Sequence, residues 1–297
     1  MRIHALPLLL PASIALAQDR APLRQATPQE QRARAAVSIA DYRYGDLLWE
    51  NDRIAFRIYS RALEKAEPPS SSGIDAWGKR VRWPYMDRQL RTGDQHADHG
   101  EGLDFYNVGT GRGIGGLGIW HDNKLWTSRN YVRPRIASAG PQVADFTVDY
   151  EQWPVDVART VSETRRFVLP VGTNFTRMVS TLRSNRAGPL IVGIGISKRP
   201  IAPGQLGKII RDEKRARLTW WGPTDPAKGT MAAAVMVDPR AFAGFAEDAD
   251  NYLILVRVEP GKPFVYYAGA AWDRGPDFAT REAWQAQVDK ETPNFTP

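Results

Sequence analysis

The 297-residue chain has no cysteine, which excludes disulfide cross-links, thiolate nucleophiles and thiolate-bound metal. Its stability therefore has to come from a packed core. Histidine is scarce, with four in all. No apolar run approaches the roughly 20 residues that a membrane-crossing helix needs, so no membrane insertion is expected. Helical periodicity is nearly absent: only Arg281–Glu291 reads as a helix, with Trp284 and Val288 on one side. There is no internal repeat of fixed period, and the only biased tract is the turn-like Pro68-Pro69-Ser70-Ser71-Ser72-Gly73.

What the chain does contain begins with residues 1–17. A charged Arg2, an apolar stretch from Ala5 to Ala17 and small residues at Ala15 and Ala17 ahead of Gln18 form a signal-peptide pattern. The mature protein is expected to be exported, hence periplasmic or extracellular. Residues 18–40 read as a polar lead-in in which Thr27-Pro28-Gln29-Glu30 resembles a helix start. Residues 41–297 read as a single β-sandwich domain. Ile54, Phe56 and Ile58 alternate with Ala55, Arg57 and Tyr59, a period of two. Strand-like segments recur at Gly116–Trp120, Val143–Tyr150, Val161–Leu169, Asn174–Leu182, Leu190–Ile196, Arg217–Trp221, Met231–Val237, Tyr252–Val258 and Phe264–Ala270, most of them separated by Gly, Pro, Asn or Asp. So many strands with hardly a helix between them predict an all-β protein, a large antiparallel β-sandwich with a short C-terminal helix.

The formal charge of +7 suits an anionic partner such as a polyuronate or a sulfated glycan. The basic residues are spread along the chain, and no nucleic-acid motif accompanies them, so nucleic acid is not an expected partner.

Between Ser72 and Asp122 the alternation stops and Gly, His, charged and aromatic residues crowd together, as they do in loops that carry function. His96, His99 and His121 all lie here. The glycines from Gly109 to Gly118 include a G-x-G-x-x-G-like spacing, but no strand-turn-helix context surrounds it, so nucleotide binding is discounted. Three blocks, SGIDAWGKRV, DHGEGLDFYNVGTGRGIGGLGIW and YYAGAAWDRGPDF, resemble the signature blocks of the bacterial family called domain of unknown function 4861. The resemblance covers roughly Asp52 to Trp284. It implies a galactose-mutarotase-like β-supersandwich and an association with polysaccharide degradation, without naming a reaction.

Uronate β-elimination, with a sugar as leaving group in a lyase or water in a dehydratase of a terminal uronate, needs a cation for the carboxylate, a base for the adjacent proton and an acid for the leaving oxygen. Lys79, Arg80 and Arg112 are candidate carboxylate binders; His99 and His121 are candidate bases, because imidazole titrates near neutral pH; Tyr106 is a candidate acid. Glu101 paired with Asp104 or Asp273 instead supports a hydrolase reading. A mutarotase or epimerase needs only one base and one acid, and a non-catalytic binding protein needs only stacking tryptophans and polar groups. Asp75, Asp104, Trp120, Trp272 and Asp273 complete the candidate sugar contacts, and the expected partner is an acidic oligosaccharide or polysaccharide. No cofactor is expected; the open alternative is a divalent cation held by His96, His99, Glu101 and His121. The Gly275-Pro276-Asp277-Phe278 turn reads as the N-cap of the last helix.

Overall fold

The computed structural model describes residues 22–297 apart from 200, 201 and 203. The signal-like segment lies outside the described residues. In chain order the elements are β1 (Ala36–Ala40), β2 (Asp46–Glu50), β3 (Ala55–Ile58), α1 (Leu63–Ala66), β4 (Asp75–Lys79), α2 (Met86–Arg91), β5 (Gly102–Leu103), β6 (Ile114–His121), β7 (Lys124–Trp126), β8 (Arg133–Ala139) and β9 (Val143–Pro154). They continue with β10 (Thr160–Pro170), β11 (Phe175–Ser184), β12 (Leu190–Ser197), β13 (Lys208–Asp212), β14 (Arg217–Trp221), β15 (Met231–Val237), β16 (Phe242–Glu247), β17 (Asn251–Val258), β18 (Pro263–Trp272) and α3 (Arg281–Lys290).

The strands form three sheets, ordered β1-β2-β3-β4-β5, β13-β14-β15-β18-β11-β10-β9-β8 and β16-β17-β12-β6-β7. Neighbouring strands pair antiparallel throughout, so the all-β antiparallel class expected from the sequence is the observed one. The main core lies between the inner face of the eight-stranded sheet, with Phe146, Phe167 and Tyr266, and apolar side chains of the other two sheets, such as Trp49, Phe56, Leu117 and Ile194. The two five-stranded sheets meet where Ile74 and Gly113 form an isolated bridge. Gly113 has φ of +61°, and a Cβ there would stand 1.8 Å from the Ile74 carbonyl oxygen. Only glycine permits that approach.

Trp49 joins the N-terminal sheet to the large one. Its ring stacks on Phe56 at 5.3 Å and meets Phe146 and Phe167 edge-on at 5.2 Å each, and its indole N–H donates to Thr176 at 3.1 Å. On the outer face of the large sheet, Trp284 of α3 stacks on Phe175 and packs with Ala232, Ala234 and Met236. β15 is consequently buried on both faces, which accounts for its unbroken apolar sequence.

Three local expectations need correction. Thr27 and Glu30 do bond reciprocally, Thr27 N–H donating to Glu30 Oε2 at 2.8 Å and Glu30 N–H to Thr27 Oγ1 at 3.3 Å, but only one turn forms and no helix follows. β1 begins inside the expected lead-in, because Ala35 and Val37 are buried in the core and Ala35 N–H reaches the Pro141 carbonyl. The N-cap of α3 is Thr280, whose hydroxyl accepts from Ala283 N–H at 3.2 Å, while Asp277 is drawn away by a two-pronged ion pair with Arg82. Among the described residues no helix is long and apolar enough to cross a membrane.

Trp49→Ala is expected to destabilise by about 3–5 kcal/mol, the range for emptying a buried aromatic site, and Trp49→Phe by less. The urea midpoint reads both; a Trp49→Ala midpoint equal to the parent's would show that the N-terminal sheet is not anchored through this ring.

Candidate functional site

β3 and β4 pair with Arg57 directly opposite Asp75. Along β4 the alternation sets Asp75, Trp77 and Lys79 on one face. Asp75 Oδ2 accepts from Arg57 Nε at 3.1 Å, Tyr59 OH at 3.1 Å and Trp77 Nε1 at 3.0 Å. The loop after β5 brings Asp104 to the same guanidinium, with Arg57 Nη2 donating to Asp104 Oδ2 at 3.0 Å. Arg57, Asp75 and Asp104 are all buried. Burial first, and the Asp75 carboxylate second, push the Asp104 carboxyl up to about 8, with Arg57 opposing. Behind this group, Asp46 on β2 is fully buried with neither carboxyl oxygen hydrogen-bonded among the described residues. Burial pushes it up to about 7 against the pull of Arg57 and Arg43.

This cluster forms one wall of a cleft of about 390 Å³, to which Tyr59, His96, Asp104, Phe105 and Lys228 contribute. His96 Nδ1 lies 2.9 Å from the Asp104 carbonyl oxygen and its Nε2 3.2 Å from the Gln95 amide nitrogen. That network assigns the proton to Nδ1 and leaves the lone pair on Nε2. Lys228 comes from a turn closed by the Asp225–Gly229 bridge. Trp272 Nε1 donates to the Lys228 carbonyl at 2.8 Å, Asp273 accepts from Thr230 N–H at 2.9 Å, and Arg274 donates to the Pro226 and Ala227 carbonyls. The third signature block is thus the clamp that holds the lysine-bearing turn.

The structure brings few of the sequence candidates into this cleft. Asp104 belongs to its lining, and Asp75 lies buried behind it, bonded to the lining residues Arg57 and Tyr59. Tyr106 borders it, but its hydroxyl donates to the Gly113 and Ser197 carbonyls at 3.1 and 3.3 Å, and burial raises its pKa. Lys79 is buried with Nζ 2.6 Å from Glu50 Oε2, burial lowering its pKa, and Glu50 in turn accepts the Tyr85 and Met86 N–H groups at the start of α2. Arg80 points the opposite way, paired with Asp98 and stacked over the Trp272 ring at 4.9 Å. Glu101 is held by Arg88 and by Trp83 Nε1.

His99 turns to Asp94, 3.3 Å from its carbonyl oxygen, and is not part of the cleft lining. His121 ends β6 beside Asp122 and Asp156; seven residues from Ile114 at about 3.3 Å each, it lies roughly 23 Å along the strand from the cleft end. Trp120 is half-buried opposite Leu125 on the same far stretch. Trp272 and Asp273 face the 225–230 turn, and Arg112 lines a neighbouring groove. The proposed cation ligands His96, His99, Glu101 and His121 therefore do not converge. Among the described residues no three His, Asp or Glu side chains are grouped to hold a metal ion.

Sequence reasoning missed Arg43, Arg57, Tyr59 and Lys228. Arg57 and Tyr59 occupy the polar positions of an alternating strand, a pattern that normally marks a solvent face. The one available signal for Lys228 was the Asp225-Pro226-Ala227-Lys228-Gly229 turn composition.

Because Asp46 and Asp104 bind their protons more tightly folded than unfolded, the stability they contribute is full below their ordinary value of 3.8 and is lost as pH rises through about 7 and 8. Asp46→Asn is expected to raise Tm at pH 8 by at least about 2 °C and to flatten the fall in Tm between pH 5 and 8. Differential scanning fluorimetry across that range checks it; an unchanged slope would refute the buried acid.

A curated relative, the uncharacterized protein P7 of Formosa agariphila, is 29% identical over 264 residues, covering 84% of this chain and 64% of that protein. The chain thus spans just under two thirds of that relative's length. Among solved structures, a putative kojibiose phosphorylase from the human microbiome superposes with a TM-score of 0.43 at 7% identity, over 80% of this chain and 31% of that one. The family described as "Domain of unknown function (DUF4861)" matches residues 14–296, and the chain belongs to it.

Proposed function

We propose that the protein is an exported enzyme that cleaves a uronic-acid-containing oligosaccharide or polysaccharide by β-elimination. What supports this reading is the lining of the cleft, which combines the Asp104 carboxyl, pushed up to about 8 by burial, with the cation of Lys228 and the imidazole of His96. Lys228, with no ion-pair partner among the described residues, binds the sugar carboxylate. The protonated Asp104 carboxyl donates a hydrogen bond to the same group as negative charge builds on it, the stabilisation that matters most in such a step. Once substrate displaces the Gln95 amide from it, His96 Nε2 takes the C5 proton, the C4=C5 double bond forms, and the C4–O bond breaks. The resulting imidazolium returns that proton to the departing oxygen, so one residue serves as base and then acid on a single face of the ring.

The hydrolase reading has weaker support, since Glu101 is fully engaged by Arg88 and Trp83, and Asp273 by Thr230 N–H. Signal-like residues 1–17 support export, and the +7 charge suits an acidic polymer.

Elimination leaves a conjugated double bond, so the mature protein is expected to raise ultraviolet absorbance with at least one uronide polymer. His96→Ala is expected to lower kcat by about 100-fold or more, Lys228→Ala to raise KM, and kcat/KM to decline as pH rises through about 8, where Asp104 loses its proton. Full activity in His96→Ala refutes the assigned base, and a panel of uronides without any absorbance change refutes elimination.

A further inference from the structure

A second groove, of about 530 Å³, lies across the Pro68–Ser72 segment from the cleft, and Pro69 and Ser70 line both. Its remaining wall is rich in hydroxyls, including Ser71, Thr110 and Thr127, and contains Arg112. Arg112 is 2% exposed. Its side chain donates to Ser72 Oγ at 2.9 Å and to the Thr110 carbonyl at 3.2 Å, while its Nε is buried without a partner. Neither partner carries a charge. The other arginine of the groove, Arg129, is already matched by Glu64, Nε to Oε2 at 2.8 Å.

The charged groups around Arg112 do not neutralise it at contact. Arg165 repels it and is itself held in a two-pronged pair with Glu163. Asp248 and Asp250 attract it only from beyond ion-pair distance; Asp248 accepts from Asn251, and Asp250 from Thr110. The fold nevertheless makes room for this side chain, since a Cβ on Gly195 would stand 2.6 Å from Arg112 Cβ. A buried cation without a counter-charge is costly, and the position of Arg112 on a groove wall leaves an external anion room to supply one.

We propose that this groove is a second acidic subsite, in which Arg112 receives the carboxylate of the sugar next to the one held in the cleft. The ligand is therefore an oligomer with acidic groups on neighbouring units, running over Pro69 and Ser70, and a single uronic acid fills only half of the site. This rests on the reading of the cleft as an acidic-sugar site.

Titration calorimetry of the full-length mature protein with monomeric and tetrameric uronides of the galacturonate, glucuronate and mannuronate series tests it, with fully methyl-esterified tetramers as controls. In the parent protein a tetramer is expected to bind at least about tenfold more tightly than its monomer. That gain is expected to vanish in Arg112→Gln and in Thr110→Glu, which puts a negative charge in the groove from an exposed position, while monomer affinity stays within about twofold. Should Arg112→Gln fail to fold, Thr110→Glu decides. Equal affinity for monomer and tetramer, or a gain that survives Thr110→Glu, overturns the second subsite and leaves the cleft reading intact. If no uronide of any length binds, the cleft reading falls and this inference falls with it.

Discussion

The buried triad of Arg57 between Asp75 and Asp104 is the constraint around which the cleft is organised. An unpaired guanidinium or carboxylate at this depth would be strongly destabilising, whereas the three together satisfy much of one another's demand. Their positions come from separate parts of the chain: Arg57 from β3, Asp75 from β4 and Asp104 from the loop after β5. Pairing them pulls that loop onto the sheet, and with it His96, whose Nδ1 is fixed by the Asp104 carbonyl. One cation shared by two carboxylates also leaves a charge imbalance. Burial, with that imbalance added, is why the Asp104 carboxyl is pushed well above the ordinary carboxylate range.

The part of the cleft that presents Lys228 is built by a different device. Trp272, Asp273 and Arg274 spend their polar groups on the backbone of the 225–230 turn. A tryptophan and an aspartate at the end of a strand look like sugar contacts in sequence, yet here they hold the segment that presents Lys228. Phe105 packs against Trp272 at 6.1 Å, so the loop after β5 and the lysine turn share one aromatic support. The cleft is consequently assembled from rigid sheet ends and clamped turns, a suitable basis for groups that must keep fixed positions.

Ion-pair choice explains much of what the sequence concealed. Lys79 and Arg80 looked like neighbouring carboxylate binders, but Lys79 is matched by Glu50, 29 residues earlier, and Arg80 by Asp98. Arg82 finds Asp277 across 195 residues. Each partner is set by which strands become neighbours, which no local pattern of charges encodes. The histidines behave similarly. Three lie within 26 residues in sequence, but the eight-residue β6 carries His121 to its far end, while His99 turns to Asp94 and only His96 reaches the cleft.

By itself the sequence determined the all-β class, the strands whose alternation or turn punctuation is local, the C-terminal helix and the membership of three blocks in one family. It also drew attention to the segment that contains Asp75, His96 and Asp104. Those features depend on period, composition and contiguous motif, all of which are written along the chain. Tertiary structure alone decided which face of β3 looks into the cleft, because β3 is covered on both sides and Arg57 is buried along with Phe56. It also decided that Lys228 joins the site and that Arg112 faces a separate groove. The physical reason is the same in each case: a charge is defined by its nearest counter-charge, and in an antiparallel fold that neighbour comes from another strand.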